Sequence, residues 1–326
     1  MKTIKIAYID FWKNLDFENF VITKILKKKY EVIIDSNNPD YIICSNFGTD
    51  YLKYNCPRIL YLAEAKAVDF NVYDYGIAFD DIAFGDRYLQ YPCFFIGYDI
   101  FKKALEKKIP ERDELSLNRK FCNTVVSNDL GCNVRDRYFE ALCTYKHVDS
   151  GGRHKNNLPD GQPVPDKLEF QKQYKFSFAF ENSSFPGYVT EKIVDAWAAG
   201  SIPLYWGAPD VADYFNPKAF IDCTNMKSES EIIDAVKELD EDDHKYLTML
   251  REPILLPDSK VNKMMREEYL EKFLTNIFDQ SPKEALRRNS VFTMWGNNYE
   301  HHMQQWKKIE EKKWFQFARK VLKKKK

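Results

Sequence analysis

Residues with the chemistry to bind and polarise a ligand are concentrated in one short segment, 180–193, which reads FENSSFPGYVTEKI. The segment follows a predicted strand, 174–180, and leads into a predicted helix, 191–199. Open α/β sheets bind their ligands at such strand ends. Backbone N–H groups and the dipole at a helix start favour an anion, and Lys192 adds a positive charge in the first turn. The segment therefore predicts an anion-binding site.

Other interpretations of the charged residues stay open at this point. Taken alone, Glu181, Glu191 and Lys192 are each typical of solvated charges beside a loop. The chain has neither a G-x-G-x-x-G motif nor a Walker lysine motif, which excludes an obvious dehydrogenase or P-loop NTPase. The acidic run 240–243 contains an Asp-x-Asp spacing, but its polar surroundings favour a solvated helix end over a metal site. The five histidines also lack the spacing of metal ligands.

Strands and helices alternate along most of the chain. The predicted strands are 4–9, 30–34, 41–44, 58–63, 121–126, 174–180 and 202–206. The predicted helices are 19–29, 134–145 and 191–199, and Gly200 ends the last of them. This alternation predicts an α/β protein with parallel sheets covered on both faces. Two Rossmann-like domains facing a central crevice match, by analogy, the GT-B architecture of glycosyltransferases.

Composition narrows the class of protein. A chain of 326 residues, 44% apolar and 30% charged, is typical of a folded protein with two domains. The net charge is zero, but residues 307–326 contain ten Lys or Arg against two Glu, so the other residues carry a net charge of minus eight. This distribution excludes a uniformly basic nucleic-acid-binding protein. Seven scattered cysteines without a CxxC pair and an N-terminus without a signal peptide predict a cytoplasmic protein.

A longer stretch around the first segment resembles a known family. Residues 181–197, then 202–209, and the positions that follow as far as Phe220 resemble the signature of the α-1,3/4-fucosyltransferases, glycosyltransferase family 10. The likeness extends over more than forty residues in the same order, which makes it far more specific than a short motif.

The resemblance continues towards the N-terminus. Residues 121–142, which contain Val126-Ser127-Asn128 and Arg135, are similar to the strand, loop and helix that supply a phosphate-binding arginine in the family. Stretches of the N-terminal half resemble bacterial members of the family, and these are 61–71, 73–75 and 84–88.

The resemblance implies how the donor, GDP-fucose, would be bound. Arg135 and Lys192 would hold its diphosphate, where two fixed cations and the helix amides neutralise the leaving group without a metal. Asn182 and Tyr188 would hold the nucleotide or the sugar by hydrogen bonds and stacking, and Gly187 would let the backbone approach the donor. No cofactor is expected to be required, and Mn²⁺ or Mg²⁺ is expected only to stimulate. Without the resemblance, Arg135 would be interpreted as a surface helix arginine.

Two carboxylates are implied to be catalytic. Glu191 would stabilise positive charge on the fucose as the glycosidic bond loosens. Glu64 would be the general base that takes the proton of the acceptor hydroxyl in an inverting transfer. Related bacterial enzymes often have Gly-Glu-Asn around this glutamate, whereas this chain has Ala63-Glu64-Ala65-Lys66. The alternative, that Glu64 only ends a strand, stays open.

The implied activity is transfer of fucose to a GlcNAc or Glc hydroxyl of an N-acetyllactosamine-type or lactose-type acceptor, as in Lewis-type glycans. The predicted domains are 1–115 for acceptor binding, 116–280 for GDP-fucose binding and 281–326 as a C-terminal helical segment. Asp10, Trp12 and the 73–75 region are further candidates for the acceptor side. The alternatives are a GT-B enzyme that uses another nucleotide sugar, and a glycan-binding protein without catalysis.

The C-terminal residues 307–326 predict a basic amphipathic helix. Lysines are interleaved with apolar side chains near helical spacing, and with the preceding Trp306 these are Ile309, Trp314, Phe317, Val321 and Leu322. Such a helix can contact an anionic membrane, which would place the protein on the inner face of the membrane. A solvated terminal helix whose aromatic side chains pack on the protein is an equal alternative.

Overall fold

The computed structural model describes residues 1–106, 108–110, 113–127, 133–288 and 298–312. The chain divides into two compact units. The first comprises Met1–Ala78, Ile82–Gln90 and the described part of Glu267–Lys326. The second comprises Phe79–Asp81 and Tyr91–Arg266.

The first unit is built on a parallel sheet. Its strands are β1 (Lys2–Ile9), β2 (Tyr30–Ile34), β3 (Tyr41–Cys44), β4 (Arg58–Tyr61), β5 (Tyr75–Ala78) and β6 (Tyr88–Gln90). Their spatial order is β2-β1-β3-β4-β5-β6, with every neighbouring pair parallel. Helix α1 (Val21–Leu26) lies between β1 and β2 along the chain. Strands β3 and β4 are buried throughout, as expected for a parallel sheet covered on both faces.

The second unit is built on another parallel sheet. Its strands are β7 (Lys120–Thr124), β8 (Val148–Ser150), β9 (Tyr174–Phe180), β10 (Ile202–Trp206) and β11 (Ile221–Asp222), in the spatial order β11-β10-β9-β7-β8. Its helices are α2 (Tyr98–Glu106), α3 (Glu114–Leu117), α4 (Asn133–Tyr145), α5 (Lys167–Gln171), α6 (Glu191–Ala199), α7 (Ser230–Asp240), α8 (Asp243–Arg251) and α9 (Lys260–Met264). Strand β9 is buried at every residue and lies in the middle of the sheet. Gly200 ends α6 with a φ of 75°, which confirms the predicted stop.

The chain then returns to the first unit. The elements are α10 (Glu267–Phe278), α11 (Pro282–Ala285) and α12 (Asn298–Glu310). Leu270, Leu274 and Ile277 of α10 are buried at helical spacing. The ammonium of Lys2 donates to the carbonyl oxygens of Phe278 at 2.8 Å and Gln280 at 2.7 Å. The start of β1 therefore satisfies carbonyl groups at and just beyond the end of α10.

The division of the chain differs from the predicted boundaries after residues 115 and 280. Instead, the chain passes from the first unit to the second between residues 90 and 91, and it returns to the first unit between residues 266 and 267. Helix α2 packs against α6 of the second unit, and α10 packs against α1 of the first. These contacts join residues distant in sequence, so no change of composition marks them. No helix within the described ranges is both long enough and apolar enough to span a membrane.

Candidate functional site

The central feature of the second unit is the turn that joins β9 to α6 at the carboxyl edge of the sheet. Glu181 is the first residue after β9, and its N–H donates to the carbonyl oxygen of Trp206 at 2.8 Å. Thr190 is the N-cap residue of α6, and Glu191 and Lys192 open the helix. The predicted strand, turn and helix are all present, and they place the acidic and basic residues of the segment at one edge.

The Glu181 carboxylate is fully buried and accepts hydrogen bonds at both oxygens. Its Oε1 accepts from the Thr190 N–H at 2.7 Å, and its Oε2 accepts from Thr190 Oγ1 at 2.7 Å and from Lys192 Nζ at 2.9 Å. Burial raises the pKa of Glu181, and the positive charge of Lys192 opposes that rise. Lys192 also donates to Thr190 Oγ1 at 3.0 Å. We refer to these three residues as the Glu181 cluster.

The Glu191 side chain is half exposed beside this cluster. Its Oε1 lies 3.9 Å from Lys192 Nζ. Desolvation acts to raise the pKa of Glu191, but the ammonium groups of Lys192 and Lys167 outweigh it and lower the pKa below its usual value. The carboxylate is therefore ionised at neutral pH, which is compatible with the predicted role of Glu191 in stabilising positive charge.

The other predicted donor residues of this turn differ in exposure. Asn182 is half buried directly after Glu181. Tyr188 is buried, with its ring centroid 5.1 Å from that of Phe79, so the ring packs inside the unit. A role in donor binding stays a prediction for both residues.

Gly187 has a structural role in the turn, and its predicted part in letting the backbone approach the donor stays a prediction. Its φ is 76°, and a Cβ atom there would lie 2.5 Å from the carbonyl oxygen of Phe79. Its N–H donates to Asp210 Oδ1 at 2.8 Å. Glycine is required because the backbone is left-handed and lies close to another segment of the same unit.

Arg135 lies in the first turn of α4, which follows β7, and is 4% exposed. The interpretation as a surface arginine is therefore wrong. Strands β7 and β9 are neighbours, so the starts of α4 and α6 lie at the same edge of the sheet. The loop between β7 and α4 includes Asn128 of the predicted phosphate-binding stretch, which is outside the described residues.

The sequence did not single out the loop that follows β8 as part of the candidate site. The N–H of His154 donates to the carbonyl oxygen of Val126 at 2.9 Å, and the His154 ring lies 2.9 Å from Asp136 Oδ1. A Cβ atom on Gly152 would lie 1.9 Å from the same carbonyl oxygen, so only glycine fits there. Thr124, Arg135 and Lys155 line a small cavity together with Val126, Asp136 and His154. In the sequence, the consecutive glycines Gly151 and Gly152 were the feature that could have indicated this close backbone approach.

In the first unit, Glu64 and Asp10 follow strands at the carboxyl edge of the sheet. Glu64 is half buried three residues after β4, and its carbonyl oxygen accepts from the Lys66 N–H at 2.7 Å. Asp10 follows β1 with a φ of 61°, and its carboxylate accepts from the N–H groups of Asp50 and Tyr51, both at 3.0 Å. Burial raises the pKa of Asp10, although these two hydrogen bonds oppose the rise. Strands β1 and β4 are separated only by β3, and both acids follow their strands at the same edge of the sheet.

The prediction that the 73–75 region lines the acceptor side is wrong. Asp74 precedes β5, so it lies at the amino edge of the sheet, opposite the edge of Glu64. It is fully buried and accepts from the N–H of Arg58 at 2.8 Å and from Arg288 Nη1 at 2.8 Å. Its role is structural. Trp12 lies on the Asp10 side of the sheet, with its ring centroid 5.8 Å from that of Phe47.

The acidic run 240–243 forms helix ends. Asp240 accepts from Lys146 at 2.8 Å, and Asp242 caps α8 by accepting from the Lys245 N–H at 3.0 Å. Within the described part of the chain, no group of three or more His, Cys, Asp or Glu side chains has an arrangement that could hold a metal ion.

Models of two protein domains match this chain. Residues 6–98 match the alpha-(1,3)-fucosyltransferase FucT N-terminal domain, and residues 115–251 match the glycosyltransferase family 10 (fucosyltransferase) C-terminal domain. The chain is 34% identical over 297 residues to the alpha-(1,3)-fucosyltransferase FucT of Helicobacter pylori, covering 79% of this chain and 62% of that protein. It is also 34% identical over 144 residues to the human 3-galactosyl-N-acetylglucosaminide 4-alpha-L-fucosyltransferase FUT3, covering 42% of this chain and 38% of that protein. The chain thus spans less than two thirds of these relatives.

Solved structures extend the comparison to the fold. A crystal structure of an α1,3-fucosyltransferase with GDP-fucose is 30% identical, with a TM-score of 0.69, and the match covers 84% of this chain and 90% of that chain. Anabaena Alr3699/HepE in complex with UDP-glucose has a TM-score of 0.51 at 9% identity, and it shares the fold alone. These likenesses confirm the predicted GT-B class with two parallel α/β domains.

Proposed function

The chain belongs to glycosyltransferase family 10, the fucosyltransferases, and we propose that it transfers fucose from GDP-fucose to a hydroxyl group of an oligosaccharide. One observation carries the proposal. Arg135 and Lys192 open helices that follow the neighbouring strands β7 and β9, which are about 4.8 Å apart in a sheet. Two cations and two helix starts at one edge suit a diphosphate. GDP-fucose occupies a structure of an α1,3-fucosyltransferase 30% identical to this chain.

The donor reacts by a single displacement in this proposal. The acceptor oxygen attacks C1 of the fucose, the bond from C1 to the β-phosphate oxygen breaks, and GDP leaves with the bonding electrons. Attack from the opposite face inverts the sugar carbon, so that the β-linked donor gives an α-fucoside. Lys192 and Arg135 neutralise the charge that develops on the diphosphate, and Glu191 stabilises the positive charge on the sugar.

The acceptor loses its hydroxyl proton to Glu64 in this proposal. Glu64 is half buried at the carboxyl edge of the first sheet, where ligands of open α/β sheets bind. Relatives named as acting on galactosyl-N-acetylglucosaminides support an N-acetyllactosamine-type or lactose-type acceptor with a free hydroxyl on GlcNAc or Glc. Glu64 belongs to the first unit, whereas the residues proposed to bind the donor belong to the second.

We propose further that the transfer needs no metal ion. Arg135 and Lys192 supply the positive charge that a metal supplies to a diphosphate in other glycosyltransferases. Activity should persist after exhaustive treatment with EDTA, and Mn²⁺ or Mg²⁺ should raise turnover only by assisting release of GDP. Complete loss of activity in EDTA, restored by added Mn²⁺, would contradict this part.

Nucleotide binding tests the proposed function directly. GDP should raise the melting temperature of the protein, while UDP and CMP at the same concentration should not, because a ligand stabilises the folded state that binds it. Incubation with GDP-fucose and N-acetyllactosamine should then yield a fucosylated product with α-linkage. Stabilisation by UDP alone would indicate another nucleotide sugar. Binding of the acceptor without any response to nucleotides would indicate a glycan-binding protein.

A further inference from the structure

Glu181 is a buried acid to which the proposed reaction assigns no step. It is fully buried, whereas Glu191 in the same segment is half exposed. Transfer of a carboxylate from water into a protein interior is costly unless hydrogen bonds and an opposite charge compensate for it. Here Lys192 and Thr190 provide that compensation. A buried charge with such specific partners calls for an explanation beyond stability, because apolar packing often stabilises a core equally well.

We propose that Glu181 is a positioning residue that fixes the ammonium of Lys192 and the first turn of α6 for the diphosphate of the donor. This inference rests on the proposed function. Lysine has a long flexible side chain, so its charge is placed accurately only when a partner holds it. Glu181 and Thr190 Oγ1 both accept from Lys192, at 2.9 Å and 3.0 Å. The ammonium is thus fixed from the side of the protein.

The same carboxylate also sets the start of α6. Thr190 is the N-cap residue, but its side chain does not cap the helix. Its N–H and its hydroxyl instead donate to Glu181, at 2.7 Å to Oε1 and 2.7 Å to Oε2. Glu191 and Lys192 follow immediately in the first turn. One buried side chain therefore orients the helix start and the cation that stands on it.

An amide cannot replace this carboxylate, because both oxygens accept hydrogen bonds. In Glu181→Gln, one oxygen becomes an NH₂ group, which donates. At the Oε2 position it would face the ammonium of Lys192, and at the Oε1 position it would face the N–H of Thr190. Either orientation sets a donor against a donor at the helix start. Glu181→Asp keeps the charge and both acceptors on a shorter side chain.

The test measures dissociation constants of GDP and guanosine by calorimetry for the wild type, Glu181→Gln and Glu181→Asp. Glu181→Gln should weaken GDP binding by at least about tenfold, as expected for hydrogen bonds to charged groups, and leave guanosine binding unchanged. Glu181→Asp should recover part of the GDP affinity. Glu238→Gln is the matched control, since Glu238 pairs with Lys245 at 2.7 Å on the exposed surface of the same unit. It should bind both ligands as the wild type does.

A double-mutant comparison distinguishes positioning from general support of the fold. In the Lys192→Ala background, Glu181→Gln should cost less GDP affinity than it does in the wild type, because the part of its effect that acts through Lys192 is already lost. Equal loss of GDP and guanosine binding would show a merely structural role and overturn the inference. Unchanged GDP affinity in Glu181→Gln would overturn it as well.

If Glu181→Gln does not fold, the Glu181→Asp variant replaces it in the test. The ratio of its GDP affinity to its guanosine affinity is then measured, and a ratio equal to that of the wild type overturns the inference. Failure of the wild type to bind GDP would instead refute the proposed function.

Discussion

At the residue scale, the buried carboxylate of Glu181 holds the ammonium of Lys192 at the start of α6. The segment 180–193 predicted an anion site, and Lys192 does open the helix after β9. Glu181 taken alone was typical of a solvated charge, yet it is fully buried. Its burial depends on strands β9 and β10, which pair across residues distant in sequence. Local spacing carries no signal of that pairing, so the Glu181 cluster became visible only in the structure.

Removal of either cation should weaken the hold on the donor. Lys192→Ala and Arg135→Ala should each weaken GDP binding and lower turnover by about 10²–10³, the range for loss of one group that stabilises developing charge. Calorimetry with GDP and initial rates with saturating acceptor measure the two effects. Lys245→Ala, which removes a lysine paired on the surface, is the control and should leave both unchanged. Wild-type GDP affinity in both variants would place the diphosphate elsewhere.

The two carboxylates proposed as catalytic should respond differently to substitution. Glu64→Gln should spare GDP-fucose affinity and lower turnover by about 10²–10⁴, because a general base acts on the acceptor. Glu191→Gln should change both, since Glu191 lies 3.9 Å from Lys192 in the second unit, where the donor is proposed to bind. Donor dissociation constants and single-turnover rates separate these outcomes. Near-normal turnover of Glu64→Gln would shift the role to Asp10, which lies at the same edge, and not to the buried Asp74.

At the element scale, the apolar strands of the two sheets were predicted closely, whereas one helix was overextended and two strands were missed. The predicted strands 30–34, 41–44 and 174–180 match β2, β3 and β9. The predicted helix 19–29 is shorter in the structure, at Val21–Leu26. Strands β5 and β6 were missed because their pairing in the sheet defines them more than their own sequence pattern does.

The turn before α6 offers a test of close backbone approach. Gly187→Ala should destabilise the protein by more than the roughly 1–2 kcal/mol that a left-handed conformation costs a residue with a side chain. Its Cβ would also meet the Phe79 carbonyl oxygen at 2.5 Å. Gly161→Ala is a matched control, because Gly161 has a φ of 63° and open space around its Cβ position. Urea unfolding measures the free energy of both variants. Equal destabilisation would mean that the contact with Phe79 relaxes without cost.

At the scale of the whole molecule, the described residues of the predicted C-terminal segment 281–326 belong to the first unit. Arg58 makes a bidentate ion pair with Glu300 of α12, at 2.9 Å and 3.1 Å. Arg288 pairs with Asp74 at 2.8 Å, and Lys307 pairs with Asp50 at 2.7 Å. The sequence did not predict these pairs, because each joins residues more than two hundred positions apart.

These ion pairs set where the tail can be removed without damage. Truncation at residue 307 would delete the end of α12 and the Lys307–Asp50 pair. Residues 313–326 lie outside the described ranges, including Trp314, Phe317, Val321 and Leu322 of the predicted amphipathic helix. Removal of 313–326 alone is therefore the appropriate change for a test of the proposed membrane contact.

Deletion of 313–326 should reduce binding to anionic vesicles and leave fucose transfer to a free oligosaccharide unchanged. The deleted stretch contains seven Lys or Arg and no acidic residue. Each such residue near an anionic surface contributes about 1 kcal/mol, and salt screens the attraction, so the difference between the two proteins should fade as salt rises. Co-sedimentation with phosphatidylserine vesicles measures binding, with neutral phosphatidylcholine vesicles as the control. Replacement of the four lysines 323–326 by glutamine tests charge without changing length, and it should weaken vesicle binding in part. If the deletion leaves vesicle binding unchanged and instead lowers the melting temperature, the apolar residues of the tail pack on the protein, and the alternative interpretation holds.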